Sequence, residues 1–599
     1  MSFYEDEPTQ VSIYDRALLS RFWTYMRPYS GWLAISVIST IALAVLEILP
    51  WLLVQRAIDD FIIPGEIDGM NTLFGQFLVI LVLIFILRYG QTWIMMWIGQ
   101  KIIKKMRMEL FTHIEHMSAS FFDKNPVGRL VTRLTGDIQQ IEMVVSQGVV
   151  QILSNLLIAS TMVLAMYLIY WKLALLLTIF LIPLIWVIRR FAAAQREAFR
   201  DQRLWMARIG AYLNEIITGV TVIQLFNRQK TNLRMFDERN QGALDSNMRV
   251  LFWFAAFEPV VIIFTAITTA SIIWYGGGEI VRGAITLGIL VQFLGYINRF
   301  FWPVRDLTER YTMIQGAVAS AERVFAILDT PPGITDVKNT RSIDNVKGKL
   351  EFDQVWFAYN EENWVLKDVS FVINPGETVA IVGATGAGKS TTMALFSRFY
   401  DVQKGEIRVD DVPVKELPQS WLRRHTGIML QDPWVFTDTI EANVRMRDPS
   451  ISSHTVRQAA EAVGANIFIE KLSEGYNTHM SERGANFSTG QKQLISLARV
   501  AAFDPQIVLV MDEATASIDP ETEAIIQEGL ANVMEGRTSV IIAHRLNTIR
   551  NVDRILVFHQ GELVEDGTHE ELMENKHIYS QLYELQYGVP PSRRLPRCQ

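Results

Sequence analysis

The chain has 599 residues, half of them hydrophobic, a formal net charge of −7 and one cysteine. That length exceeds a single domain, and the hydrophobic share is high for a wholly soluble protein. The lone Cys598 excludes an internal disulfide, and nothing in the charge balance suggests a nucleic-acid partner.

Residues 1–31 are polar and mixed, without the apolar core and cleavage site of a signal peptide. Within them, residues 12–29 set Ile13, Leu18, Leu19, Phe22, Trp23 and Met26 against Arg16, Arg21 and Arg27. This suits an amphipathic helix lying on a membrane; an ordinary surface helix fits the same pattern. Apolar stretches long enough to span a bilayer follow at 32–54, 73–97, 149–170, 173–188, 251–275 and 284–301. The third and fourth meet at Trp171-Lys172, which requires a tight turn.

Lys101, Lys104, Lys105, Arg107, Lys124, Arg129 and Arg133 lie between spans two and three, and a richer set from Arg189 to Arg249 lies between four and five. The opposite loops hold Arg56, Lys172 and Arg282. The positive-inside rule predicts that both termini and both long segments are cytoplasmic, in a multi-pass protein of the inner (plasma) membrane. Tryptophans 32, 51, 171 and 274 fall near span ends, as an interfacial belt requires. Each long segment reads as helix, turn, helix, with turns at 121–128 and 214–219. The four ionisable residues inside spans are Glu47, Arg88, Glu258 and Arg299. By the helical rise of about 1.5 Å per residue, Arg88, Glu258 and Arg299 share the cytoplasmic half of the bilayer. Glu258 is therefore expected to pair with one of the arginines, either structurally or in a translocation cavity. Pro259 beside it suggests a kink.

The resulting domain plan is an amphipathic region at 1–31, a membrane domain at 32–328, a linker at 329–349 opened by Asp329-Thr330-Pro331-Pro332-Gly333, an α/β domain at 350–588 and a tail at 589–599. The α/β domain carries Gly383-Ala384-Thr385-Gly386-Ala387-Gly388-Lys389-Ser390 between an apolar β-branched strand and a helix. That is the pattern and context of a phosphate-binding loop. Gly383, Thr385, Gly386 and Gly388 let backbone N–H groups face an anion, Lys389 supplies a cation, and the Ser390 hydroxyl can ligate Mg²⁺. A second apolar strand, at 506–511, ends in Asp512 and Glu513, placing a metal-holding carboxylate beside one that can orient or deprotonate water. A third, at 539–543, ends in His544, a candidate γ-phosphate contact; the other reading is a satisfied core histidine.

Asn486-Phe487-Ser488-Thr489-Gly490-Gln491-Lys492-Gln493 resembles the signature motif of ATP-binding-cassette proteins, usually Leu-Ser-Gly-Gly-Gln. With six spans before one cassette, essentially the whole chain resembles a half-size exporter of the multidrug and lipid-flippase type, closest to MdlB-like heterodimer subunits. The fold implied is an all-α transmembrane domain of six helices with long cytoplasmic extensions, plus an α/β P-loop cassette. The resemblance implies that Tyr359 stacks on adenine and that Thr391 belongs to the ATP site. It implies that Gln431 contacts Mg²⁺ and senses the γ-phosphate, and that Ser488, Gly490 and Gln491 contact nucleotide. Glu482 would lie in the loop facing the membrane helices, Ser517-Ile518-Asp519 at the dimer interface, and the two cytoplasmic turns would be coupling helices.

The implied activity is ATP hydrolysis driving export of amphipathic drug-like or lipid substrates, with a second half-transporter and the lipid bilayer as partners. A non-exporting ATP sensor or ATP-gated channel is the alternative. One position departs from the pattern: Thr489 replaces the first signature glycine. In related heterodimers that combination, with an intact phosphate loop, marks the subunit supplying the hydrolytic residues. An active homodimer that tolerates Thr489 is the other reading.

Overall fold

The computed structural model describes residues 16–587 apart from 338–339, 361–362, 512–517 and 543–551. The predicted tail therefore lies outside the described residues, as do Asp512, Glu513, Ser517 and His544. The chain divides into two compact units: Met1–Glu115 with Pro126–Thr330, and His116–Asn125 with Pro331–Gln599.

The first unit is helical. Among the described residues, four stretches are long and apolar enough to cross a membrane: Ser20–Ile62, Met70–Glu115, Val127–Thr218 and Gln229–Val281. The third contains predicted spans three and four; its helical backbone breaks at Tyr170 (φ −154°, ψ 96°), next to the expected turn. The sixth span is the apolar start, Leu287–Phe301, of a helix that continues to Asp329. Its first turn is capped by Thr286, whose hydroxyl accepts from the Ile289 N–H at 3.3 Å. The helix Gln229–Val281 runs through Pro259.

Phe293, Tyr296, Ile297 and Phe301 pack with Leu173, Leu177, Val261 and Ile272 in the membrane-unit core. Gly295 is there because nothing larger fits: a Cβ would sit 2.2 Å from the Trp51 indole. The amphipathic helix Arg16–Met26 is held by side chains. Arg21 grips Asp329 through two hydrogen bonds (2.5 and 2.6 Å), lies 4.5 Å over the Phe325 ring, and Tyr25 donates to Glu109 at 2.9 Å. Further along, buried Asp137 accepts from Arg133 (2.6 Å), Ser320 (2.9 Å) and Arg323 Nε (3.1 Å).

Both arginines donate to Glu47, a carboxylate that the sequence reading did not single out as their partner. Arg299 donates Nε to Oε2 at 3.0 Å and a second nitrogen to Oε1 at 2.8 Å, and Arg88 also donates to Oε1. Helix length explains why the sequence did not single out Glu47. Sequence placed the end of the first span near residue 54, but helical conformation continues through Leu49–Arg56 and Ala57–Ile62. Measured from Ile62, Glu47 lies roughly 22 Å down the helix, a depth comparable to those of Arg88 and Arg299 in their own helices.

In the second unit, β1 (Leu350–Ala358), β2 (Trp364–Ile373), β4 (Lys404–Val409) and β5 (Val412–Pro413) form an antiparallel sheet in the order β2-β1-β4-β5. The larger sheet contains β3 (Thr378–Gly383), β6 (Thr426–Met429), β7 (Ile507–Met511), β8 (Thr538–Ile542), β9 (Arg554–His559) and β10 (Glu562–Gly567), in the order β10-β9-β3-β8-β7-β6. Its central pairs are parallel. β8 is buried along its whole length, so it reads as a continuous apolar run rather than an alternation. In the predicted linker, Asp336 accepts from Gln419 N at 3.0 Å and Arg341 N donates to the Glu416 carbonyl at 2.9 Å.

Candidate nucleotide site

Parallel pairing aligns strand ends. Met511 lies opposite Ile542, Ile381 opposite Ile542, and Met429 opposite Val510. The carboxyl edge of the sheet is where ligands bind in open α/β folds. The chain leaves β3 there into the glycine-rich loop and leaves β6 two residues before exposed Gln431. Asp512 and His544 follow β7 and β8 in sequence, beyond the described ends of those strands.

The loop is shaped by backbone that side chains would obstruct. Gly388 has φ 103°, and a Cβ would meet Leu366 at 2.5 Å; at Gly383 a Cβ would sit 2.3 Å from the Phe558 carbonyl oxygen. Thr385 and Gly386 are exposed on the loop crest. Gly388 then caps the helix Lys389–Phe396, whose first N–H groups have no intrahelical acceptor. Lys389 is buried, and its Nζ donates to the carbonyls of Gly383 (2.7 Å) and Ala384 (3.0 Å). Exposed Ser390 presents its hydroxyl at the loop–helix junction, while Thr391 is buried. A lysine folded on loop carbonyls, glycine-permitted backbone and the N–H groups of a helix N-terminus fit nucleotide phosphates. An exposed hydroxyl and an amide oxygen are hard donors of the kind Mg²⁺ accepts.

Tyr359 follows β1, is 46% exposed, and its hydroxyl lies 3.1 Å from Thr391 Oγ1. This joins the aromatic ring to the phosphate-loop helix. The signature segment opens the helix Thr489–Phe503 with a reciprocal cap: Gln491 N donates to Ser488 Oγ at 3.2 Å, and Ser488 N to Gln491 Oε1 at 3.0 Å. Gly490 is required by packing, since a Cβ would lie 2.5 Å from Thr522 Cγ2; the Thr489 side chain points to the exterior of the unit. Asp519 caps the helix Pro520–Met534 by accepting from Thr522 N at 2.9 Å, and that backbone N–H holds its carboxyl below the usual range. Glu482 opens a short exposed turn whose Arg483 lies 5.5 Å over Trp434.

Residues 33–304 match the ABC transporter transmembrane region, and residues 366–516 match the ABC transporter domain. The uncharacterized ABC transporter ATP-binding protein YknV of Bacillus subtilis is 35% identical over 595 residues, 98% of this chain and 97% of the relative. The chain belongs to the ABC transporter family. It is an ATP-driven exporter subunit that fuses a membrane-spanning helical domain to an ATPase cassette, and a half-transporter of this architecture works as a dimer in a membrane. The probable multidrug resistance ABC transporter ATP-binding/permease protein YheH of B. subtilis is 38% identical over 530 residues, 87% of this chain and 78% of the relative. The ATP-dependent lipid A-core flippase of Syntrophus aciditrophicus is 32% identical over 574 residues, 95% and 94% of the two chains.

The structure brings Tyr359 to Thr391, and Lys389 to the carbonyls at the start of the loop. Ser488, Gly490 and Gln491 stand together at the start of another helix. Sequence reasoning passed over Tyr400 and Asp123, which join the same aromatic neighbourhood. The available signal was an aromatic–acid pair four residues beyond the loop helix and an acidic residue in the predicted turn.

Proposed function

We propose that this exporter half pairs with a different half-transporter in the inner (plasma) membrane, with cassette and termini cytoplasmic, and moves amphipathic small molecules or lipids outward. The single observation carrying the heterodimer reading is Thr489: an exposed β-branched residue opens the signature helix of a chain whose phosphate loop is complete. The names of the multidrug and lipid A-core relatives support the substrate class.

In this reading Tyr359 stacks on adenine. The N–H groups of the loop Gly383–Gly388, Lys389 and the first helical turn, including Thr391, hold the phosphates. Ser390, Gln431 and Asp512 hold Mg²⁺, which when bound neutralises charge on the β- and γ-phosphates. Glu513 accepts a proton from the attacking water and His544 contacts the γ-phosphate. Ser488, Gly490 and Gln491 serve the nucleotide on the partner's phosphate loop, and Asp519 lies at the cassette interface. ATP favours the closed cassette pair because it binds that state more tightly than the open one, and hydrolysis removes the bias.

The test is ATPase activity of Glu513→Gln and Ser488→Ala in the chain purified with whatever half-transporter co-purifies. Glu513→Gln is expected to cost about two orders of magnitude or more, the scale of general-base loss, while Ser488→Ala costs only a few-fold. Severe losses from both, in a preparation holding only this chain, would establish a homodimer instead.

A further inference from the structure

No residue of the helix Met70–Glu115 is buried before Gln91, so its apolar first half lies on the surface of the membrane unit. Tyr89 and Trp93 are exposed there. Trp93, Trp97, Lys101 and Lys105 then follow one i, i+4 row of the helix. The start of the chain packs against this row. Trp97 meets Tyr29 edge-on and Trp32 at a tilt, each with ring centroids 5.9 Å apart, and the Lys101 ammonium lies 5.4 Å from the centre of the Trp97 ring. The Lys105 ammonium lies 5.5 Å from the centre of the Tyr25 ring. Two carboxylates nearby have other donors: Glu109 accepts from the Tyr25 hydroxyl at 2.9 Å, and Glu142 from Gln100. Lys101 and Lys105 are exposed, and among the described residues neither forms an ion pair.

We propose that this row is a site for an anionic phospholipid of the cytoplasmic leaflet, with the headgroup phosphate on Lys101 and Lys105 and an acyl chain along Trp93 and Tyr89. The inference rests on the cytoplasmic orientation proposed above. Depth fits the ligand. From Tyr89 to Lys101 the helix rises about 18 Å, against about 15 Å for half of a bilayer's hydrocarbon core. A chain anchored at Lys101 therefore meets aromatic surface through its whole leaflet. Tryptophan and tyrosine prefer the headgroup level, where the ring is apolar and its N–H or O–H stays wet. Tyr29, Trp32 and Trp97 gather three such rings at one level. Each lysine lays its stem over a ring and keeps its ammonium in water, where a phosphate can reach it. Charge then selects the occupant. Residues 101–109 carry Lys101, Lys104, Lys105 and Arg107 against Glu109 alone. A zwitterionic headgroup brings its own cation to this place, whereas an anionic one does not. A protein surface covering the row would have to strip water from both ammonium groups and supply carboxylates to replace it.

The test is native mass spectrometry of the chain with its natural half-transporter, delipidated in detergent and titrated with phosphatidylglycerol or with phosphatidylcholine of the same dioleoyl chains. A lysine beside an anionic headgroup is worth about fivefold in affinity, so the parent protein should bind its first phosphatidylglycerol about twentyfold more tightly than phosphatidylcholine. Combining Lys101→Ala with Lys105→Ala should bring the two lipids within about twofold of each other. Combining Lys230→Ala with Arg234→Ala removes the same charge from another exposed helix and should leave the preference intact. Equal affinities in the parent protein, or equal losses from the two double variants, would overturn the proposal. A second measurement needs no variant: phosphatidylglycerol with a photoreactive acyl chain, in nanodiscs holding the assembled transporter, should label residues 89–101. No label there would show that the partner subunit covers this face, which would also overturn the proposal. Labelling of Lys101→Cys, in a Cys598→Ser background, by an impermeant thiol reagent outside intact cells would instead remove the cytoplasmic orientation. That failure is separate from a lost headgroup preference, because binding in detergent does not depend on the leaflet.

Discussion

The Glu47 carboxylate is 4% exposed and takes three hydrogen bonds from two arginines, so removing partners one at a time should give an ordered series. Arg88→Ala leaves the two-pronged grip of Arg299 in place and removes one charge-assisted bond, a loss of about 1.5–3 kcal/mol. Arg299→Ala removes both prongs and breaks the better-buried pair, about 3–5 kcal/mol. Removing both arginines leaves an uncompensated carboxylate in the membrane-spanning core, and that variant should be the least stable. The sign then reverses: adding Glu47→Ala to the double variant should recover stability, because the buried charge is gone. Thermal unfolding of the detergent-solubilised chain, followed by size-exclusion chromatography after heating, reads the order. A triple variant no more stable than the double would refute the argument, as would a greater loss from Arg88→Ala than from Arg299→Ala.

Lys389→Ala should weaken ATP binding by roughly 30-fold or more, since a buried cation with two hydrogen bonds to the loop is lost to the phosphates. Tyr359→Ala should weaken it less, by a stacking contribution of about 1–3 kcal/mol; titration with a fluorescent ATP analogue measures both, and the reverse order would reject the adenine-side assignment. Gly490→Ala pushes a methyl against Thr522 and should destabilise the cassette by about 1–3 kcal/mol, the scale of overpacking. Thr522→Ser removes the opposing Cγ2 and should restore the melting temperature in the Gly490→Ala background; no recovery would mean that the clash is not the cause.

Local pattern carried far in this chain. The phosphate loop was legible because β-branched run, glycine spacing and following helix all agree, and β3 and the helix Lys389–Phe396 lie where those residues place them. The membrane spans were legible from apolar length alone. Glu47 was not legible as the arginine partner. Polar residues at Gln55, Arg56, Asp59 and Asp60 obscured the continuation of the first helix, and the true end of that helix sets the depth of Glu47. Tyr400 and Asp123 could not be paired by spacing, since 277 positions separate them and only the fold brings them together. The role of Gly490 was also hidden: the sequence offers it as a phosphate contact, and only the neighbouring helix shows the steric requirement.

The reciprocal cap at the signature helix has a consequence for residue choice. Ser, Asn and Asp all serve as helix caps, because each offers an oxygen to the third backbone N–H. In accepting from Gln491, the Ser488 oxygen uses a lone pair and leaves its own proton free to donate outward. An aspartate would cap the same helix but would turn a negative charge toward the same space, and it would have no proton to give. On the proposed reading, where a neighbour's nucleotide arrives at this helix end, serine both accepts from its own helix and donates to a visiting anion. The cap then fixes the direction of that donor before any nucleotide arrives.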